Sequence, residues 1–554
     1  MENKLTFAGR WLEKMFESAV EWSNNNGEMH DPYESIYAEN FSPACWSVVA
    51  AVLYSLTHKP EHLDWCEKWI TRAAELMEAN PPMRDYILGY AAMIFPVLRK
   101  YCAPDVLEKY RILCADTYKA EFPVSSDMHI TALQLVGDIY CPRNRKNQVS
   151  VRQAEILTRL ENRVNELGFL TDDRDNGNSI PHMLLTGCIL SIFIVDEDLE
   201  CGLKERIIGI VKRNSYWFGR MCGQNHLPVQ ANRSYNQMYV YSIAALFAFL
   251  EYGIAGKERI NSILKFQKAF MNTKGGIAAI TPNYFSPYCL AGAEANYNRV
   301  VNDAGAGAVA WALLLLLAEN KWNGFNTEND VPEEKRWCDA ASGYAVFKEN
   351  KFRVFFALRT HKWQYHLPLQ PISLGFPSQL PAPFCGAKRS GVNNPYLKSI
   401  PDSSRLDPLL EPYFGLYSRT PEGKFHNLEG QAAELPDGTW KLENKNIKLN
   451  FTVKTENGGL ILTYRYSMDK TDKAFFAVPV LLWDGRNELE YKIERNIVRM
   501  IWNTRKYFME LSNSVGNWNL AIERHAVTGY GITGNFVIPI ASDGKIELAL
   551  KEKQ

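Results

Sequence analysis

The stretch NHLPVQANRSYNQMYVYSIAA, residues 225–245, gathers side chains that bind sugars and move protons. Asn225, His226, Gln230, Asn232 and Arg233 crowd a polar segment that runs into a helical apolar pattern. Ser234-x-x-Gln237 reads as a capping box, so a helix is expected to start at Ser234. Tyr235, Asn236 and Gln237 would fill its first turn, where unpaired N–H groups and the positive dipole end favour an anion, either a substrate carboxylate or a phenolate. Arg233 strengthens this reading, because a guanidinium at a helix start opposes the dipole and calls for an anionic partner. The competing structural reading is a capped helix with Tyr235 packed under a loop.

Apolar periodicity predicts twelve helical segments before about residue 320, near 5–25, 43–57, 61–79, 84–99, 104–120, 129–139, 151–168, 179–193, 201–218, 234–254, 258–273 and 302–319. Short Pro- and Asn-rich connections pair them as antiparallel hairpins. The most economical closed packing is an (α/α)6 toroid; a solenoid would need a repeat of fixed period, and none is visible. In a toroid the even-numbered helices start at one rim. That rim collects Glu39, Asn40, Trp46, Arg84, Tyr86, Asp127, His129, Asn178, His182, Arg233, Tyr235, Asn298, Arg299, Asn302 and Asp303. Ordinary caps supply Ser, Asp and Asn; Arg, His, Tyr and Trp beside them are what a carbohydrate cleft uses.

After residue 335 the texture changes to period two. KLENKNIKLNFTVKTENGGLILTYRYSM, FFAVPVLLWDGRNELEYKIE and GKIELALKEK read as strands of an antiparallel β-sandwich. The expected division is a helical domain at 1–325 and a β domain at 336–554, an α+β multidomain chain. Residues 367–431, with five prolines between 368 and 383, read as a long irregular segment folding over the toroid mouth.

Composition excludes several classes. Hydrophobic content of 46%, 22% charge and zero formal net charge over 554 residues point to a soluble globular protein with no nucleic-acid or membrane partner. The N-terminus is amphipathic, without the apolar stretch of a secretory signal, so the chain as given reads as cytoplasmic, and as secreted if a leader has been removed. Eleven dispersed cysteines read as buried free thiols. No CxxC pair or His/Cys spacing points to zinc, and neither a metal nor a cofactor is implied. Oligomeric state is left open.

The order of helices then strands resembles the heparinase II/III-like and oligoalginate lyases. Asn178-Ser-Ile-Pro-His182 is similar to that family's Asn/His element at a helix start. Gln230-Ala-Asn-Arg-Ser-Tyr235-Asn-Gln237 is similar to its tyrosine-bearing helix start, and Gly343-Tyr344-Ala-Val346 to the strand opening its sandwich. The following RVFFALRTHKWQYHLPLQ resembles the family's His-rich turn, with His361 and His366 as candidates. Two departures stand out: the HxHxD turn reads His366-Leu-Pro-Leu-Gln370, and the tyrosine is followed by Asn236 instead of His.

The resemblance implies β-elimination on a uronic-acid glycan. The C6 carboxylate must be neutralised, the C5 proton removed and the leaving oxygen protonated. Asn178, His182, Asn225 and Arg233 suit the first task; His366, or else His361 or His226, the second; Tyr235 the third, or both proton transfers in a syn elimination. His182, Tyr235 and His366 are thus the catalytic candidates. Asn178, Asn225, His226, Arg233, Gln237, Glu294, Asn298, Arg299 and His361 are the substrate-binding ones. Each histidine also has a structural reading: His182 as a core residue on an apolar helix, His226 as a loop brace, His361 and His366 as caps of a strand turn. A second stretch, PYCLAGAEANYNRVVNDAGAG, offers Glu294 and Asp303 as the carboxylate pair of a glycoside hydrolase on the same toroid. A non-catalytic carbohydrate-binding protein is the third reading.

Overall fold

The computed structural model describes residues 6–32, 39–79, 83–116, 123–141, 146–171, 178–223, 226–232, 234, 237–270, 283–284, 300–325, 334–350, 352–360, 368–375, 414–419, 425–427, 430–469, 473–502, 507–528 and 530–553. The helices are α1 (Thr6–Glu21), α2 (Ser42–Thr57), α3 (Pro60–Ala79), α4 (Arg84–Ala92), α5 (Ile94–Leu98), α6 (Pro104–Asp116), α7 (Met128–Tyr140), α8 (Lys146–Asn162), α9 (Ile180–Leu190), α10 (Ile192–Val195), α11 (Cys201–Arg220), α12 (Met238–Tyr252), α13 (Lys257–Ala269) and α14 (Val300–Glu319). Two expected helices are broken. The first breaks at Met93, where Pro96 has no N–H for the Ala92 carbonyl. The second breaks at Ser191, whose hydroxyl bonds back to the Gly187 carbonyl at 2.7 Å.

Helix composition sorts position. α2, α9, α12 and α14 are apolar on every side and almost wholly buried. α11 instead carries a stripe, burying Ile207, Ile210, Val211, Asn214, Trp217 and Phe218 and exposing charge elsewhere. Contacts follow this division: α2 touches α4, α4 touches α7, α7 touches α9, α9 touches α12, α12 touches α14, and α14 returns to α2. The striped helices lie outside this circuit, α1 on α14 and α2, α3 on α2 and α4, α11 on α9 and α12. Gly89 sets one spacing, since a Cβ there would lie 2.5 Å from Cβ of Leu133 on α7. Val300–Glu319 is apolar and long enough to cross a membrane, and so is the run of α12 and α13, Met238–Ala269, yet the apolar stretches of both are mostly buried inside the protein.

The strands are all antiparallel. β1 (Arg336–Asp339), β2 (Tyr344–Glu349), β3 (Phe352–Ala357) and β4 (Pro371–Gly375) form one sheet in that order. Its two faces split by alternation: Tyr344, Val346, Phe355 and Ala357 join the helical core, whereas Ala345, Phe347, Phe352, Val354 and Phe356 join a second core. That core is shared with two larger sheets, built from β5 (Gly415–Arg419), β6 (Phe425–Asn427), β7 (Ala432–Glu434), β8 (Trp440–Glu443), β9 (Ile447–Glu456), β10 (Gly459–Met468), β11 (Lys473–Trp483), β12 (Leu489–Glu494), β13 (Ile497–Trp502), β14 (Tyr507–Asn513), β15 (Asn519–Thr528), β16 (Gly531–Ile540) and β17 (Asp543–Lys553). Their orders are β12-β13-β14-β17-β10-β9-β8-β7 and β15-β16-β11-β5-β6. The β9–β10 hairpin turns on Asn457 and Gly458, both at positive φ (51° and 72°), as a two-residue turn matched to strand twist requires.

The segment 367–431 corrects the expectation of a purely irregular loop, because it supplies β4, β5 and β6; residues 376–413 lie outside the described residues. Helices and strands are tied at buried polar contacts. Asp339 accepts Trp217 Nε1–H at 2.8 Å and the Asn165 amide at 2.9 Å. Arg353 donates to the Cys222 carbonyl at 3.2 Å.

Candidate active site

The starts of α4, α7 and α9 converge on a cluster of rings. Each places an aromatic or imidazole side chain in its first turn: Tyr86, His129 and His182. Tyr86 Oη lies 2.6 Å from His129 Nε2, and the His129 and His182 rings stand 4.6 Å apart between centroids. His182 Nε2 is 3.1 Å from Oγ of Ser234, in the segment before α12. Phe41, just ahead of α2, stacks on Tyr86 at 5.1 Å. The histidines are buried, at 3% and 6% exposure, while Phe41, Tyr86 and Ser234 are half-buried and form the accessible side.

Local folding accounts for the placement of His182. Asn178 and Ser179 precede α9, and Ser179 Oγ caps the helix by accepting the His182 N–H at 3.2 Å. Asn178 is fully buried, and its amide donates to the carbonyls of Ser342 (2.7 Å) and Ala341 (3.2 Å) between β1 and β2. Asn232, at φ 65°, donates to the Asn178 carbonyl at 3.0 Å and to Tyr344 Oη at 2.5 Å, and Tyr344 Oη donates to that same carbonyl. One phenol on β2 thus clamps the two segments that carry His182 and Ser234. Burial pushes the Tyr344 hydroxyl far above the ordinary phenol range, so it stays protonated and serves as a clamp.

Several expected roles change. The capping box does not form: Ser234 sits at φ 62° and α12 begins at Met238, with Gln237 as its N-cap. Gln230 takes over, its Oε1 accepting the Gln237 N–H at 3.1 Å and its Nε2 donating to the Gln237 carbonyl at 3.4 Å. Gln237, read as a substrate contact, is 1% exposed and its backbone is bound to Gln230. Asn178, read as a carboxylate donor, has its amide committed to the carbonyls between β1 and β2. His226 makes no contact with the ring cluster among the described residues. Burial first, then the charges of Arg259 and Arg353, bring its pKa down to about 4. It is therefore neutral near pH 7 and unsuited to hold a carboxylate as a cation.

Trp46, Arg84 and Glu39 of the expected rim are structural. Trp46 donates to the Val301 carbonyl at 3.3 Å, Arg84 to the Met77 carbonyl at 2.5 Å, and Glu39 takes a forked pair of bonds from Arg72. Ser42 Oγ donates to Asn302 Oδ1 and joins the starts of α2 and α14. Asp303 is 7% exposed in the first turn of α14. Asn225, Arg233, Tyr235, Asn236, Glu294, Asn298, Arg299, His361 and His366 lie outside the described residues. Tyr86 and His129 stood on the rim in the sequence without a role; their types and helix-start positions were legible, their pairing was not.

No family model matches the sequence, and no curated protein matches it. Among solved structures, heparinase III superposes with a TM-score of 0.52 at 9% identity, over 96% of this chain and 80% of that one. The chain has the fold of heparinase III. A mutant heparan sulfate lyase from Pedobacter heparinus aligns at 0.48 and 10% identity over 98% and 83% of the two chains. An unsaturated glucuronyl hydrolase from Streptococcus agalactiae aligns at 0.36 and 10% identity over 56% and 91%. The heparinase III fold meets the expectation drawn from the order of helices and strands.

Proposed function

We propose that the protein is a polysaccharide lyase that cleaves a uronic-acid glycan by β-elimination at the ring cluster, with the helical circuit read as an (α/α)6 toroid and the β domain as a sandwich. The observation that carries this reading is the 2.6 Å contact of Tyr86 Oη with His129 Nε2 beside His182. A phenol paired with an imidazole can pass a proton in either direction near neutral pH, as elimination demands twice. The C5–H electron pair becomes the C4–C5 double bond, the C4–O bond breaks, and the departing oxygen takes a proton. His182 and Arg233 hold the C6 carboxylate in this scheme, and the Tyr86–His129 pair, or His366, removes the C5 proton. Tyr235, covalently next to Ser234, protonates the leaving oxygen.

The test is incubation of purified protein with heparan sulfate and alginate oligosaccharides, followed by ultraviolet absorbance of a C4–C5 unsaturated uronate. Tyr235→Phe keeps the ring and removes one proton. Its kcat is expected to fall by on the order of 10²–10⁴ with an unchanged melting temperature. Hydrolysis products without that absorbance would transfer the chemistry to Glu294 and Asp303, and Tyr235→Phe at wild-type rate would remove the tyrosine from the mechanism.

A further inference from the structure

Arg359 closes the end of β3 beside the clamp that holds the ring cluster. Its backbone bridges to Gln431, and its stem crosses the face of Gly343. Gly343 is suited to this twice over: its φ is +82°, and a Cβ there would lie 2.8 Å from both Cγ and Nε of Arg359. The neighbours of Gly343 are the residues that grip the rim. Ser342 accepts the Asn178 amide, and Tyr344 bonds Asn178 and Asn232. The guanidinium stands close enough to the Tyr344 phenol to oppose, in part, the effect of burial on its proton.

Arg359 is half-buried, yet among the described residues it has no carboxylate partner and no side-chain hydrogen bond, and its Nε–H is buried without an acceptor. The other half-buried arginines of this junction are engaged, Arg353 by the Cys222 carbonyl and Arg220 by Glu334. A desolvated guanidinium calls for an anion, and its planar fork matches carboxylate or sulfate.

We propose that Arg359 is a specificity-determining residue that binds an anionic substituent, carboxylate or sulfate, on a sugar unit lying across the junction of the ring cluster and the four-stranded sheet. This rests on the glycan reading of the cluster and adds to it a contact from the β domain. The strand end, Gly343 and the Gln431 bridge pre-position the fork, so binding needs little rearrangement of the protein.

The experiment is calorimetric titration of the full chain with hexasaccharides of heparan sulfate and of alginate, and with their carboxyl-reduced and, for heparan sulfate, desulfated forms. Wild type is expected to bind an intact hexasaccharide and to lose affinity by about 10- to 100-fold when the recognised anion is removed, the worth of charge-assisted hydrogen bonds. The modification whose penalty shrinks in Arg359→Ala identifies the anion that Arg359 binds. Arg359→Ala should shrink the affinity ratio of intact to modified sugar by about 10-fold or more, leaving any discrimination that His182 and Arg233 supply, and Arg359→Lys should recover part of the difference; melting temperatures of both variants confirm the fold. Wild-type discrimination retained by Arg359→Ala overturns the proposal, as does failure of wild type to bind any anionic hexasaccharide. Arg359-dependent binding with no unsaturated product would sink the lyase reading and leave this one standing, whereas unsaturated product with Arg359-independent binding would do the reverse.

Discussion

Two buried histidine sites among the helices differ in what their partners can do. His62, 1% exposed on α3, has Nδ1 2.9 Å from Thr57 Oγ1 and Nε2 3.4 Å from a Glu13 oxygen. Both partners are already committed, Thr57 donating to the Leu53 carbonyl and Glu13 pairing with Lys59. Burial lowers the pKa of His62 despite the Glu13 carboxylate. The site is a brace at the C-terminal end of α2. At the opposite ends, the starts of α4, α7 and α9, His129 and His182 meet a phenol, a hydroxyl and each other's rings, and two of those partners reach the accessible side. The two sites share burial and differ in the exchangeable protons and the access of their partners.

The comparison is most exposed to a paired substitution. His182→Gln, which weakens the hold on the C6 carboxylate, should lower kcat by about 10²–10³ at a near wild-type melting temperature, whereas His62→Gln should lower the melting temperature and leave kcat per folded molecule unchanged. Equal kcat in the two variants would erase the distinction. A smaller effect is expected from Tyr86→Phe, which removes the bond to His129 and keeps the stack on Phe41. A loss in kcat of about 10- to 100-fold corresponds to one hydrogen bond to a group that becomes charged, and unchanged turnover would make Tyr86 a platform only.

Tyr344→Phe sharpens the contrast between clamp and cluster. It removes two buried hydrogen bonds and leaves the Asn178 carbonyl and the Asn232 amide only their bond to each other, so a stability loss of about 1–3 kcal/mol is expected in urea denaturation. An unchanged midpoint would show that the junction does not depend on this phenol. The mildest effect concerns pH. Because His226 is about 4 in the folded chain and 6.5 when unfolded, the unfolded chain binds more protons between these values. This contribution is present above pH 6.5 and is lost as pH falls toward 4, so the melting temperature should drop across that window and drop less in His226→Gln. Identical pH slopes would assign the acid sensitivity to other groups.

Helix positions were readable because burial repeats every three to four residues in α11 and on all sides in α14, a signal contained within one segment. Strand positions were readable for the same reason: β9 alternates buried and exposed side chains along IKLNFTVKTE. The capping box was locally well formed and still failed. Gln230 and Gln237 make a tighter buried pair seven residues apart, and the left-handed turns at Asn232 and Ser234 defer the helix to Met238. Local caps are worth about 1 kcal/mol, which a buried tertiary arrangement outweighs.

The sequence by itself determined where the chain turns apolar, how often, and which ends carry histidine, tyrosine and asparagine. These follow from side-chain type and spacing along one element. Only the tertiary structure decided that Tyr86 meets His129 across 43 residues, that Asn178 spends its amide on Ser342 across 164, and that Arg359 lies over Gly343 with its Nε–H unmatched. Such pairings depend on which helix ends and strand turns share space. That is set by closing the helical circuit and docking the sheet on it, and no local period encodes it.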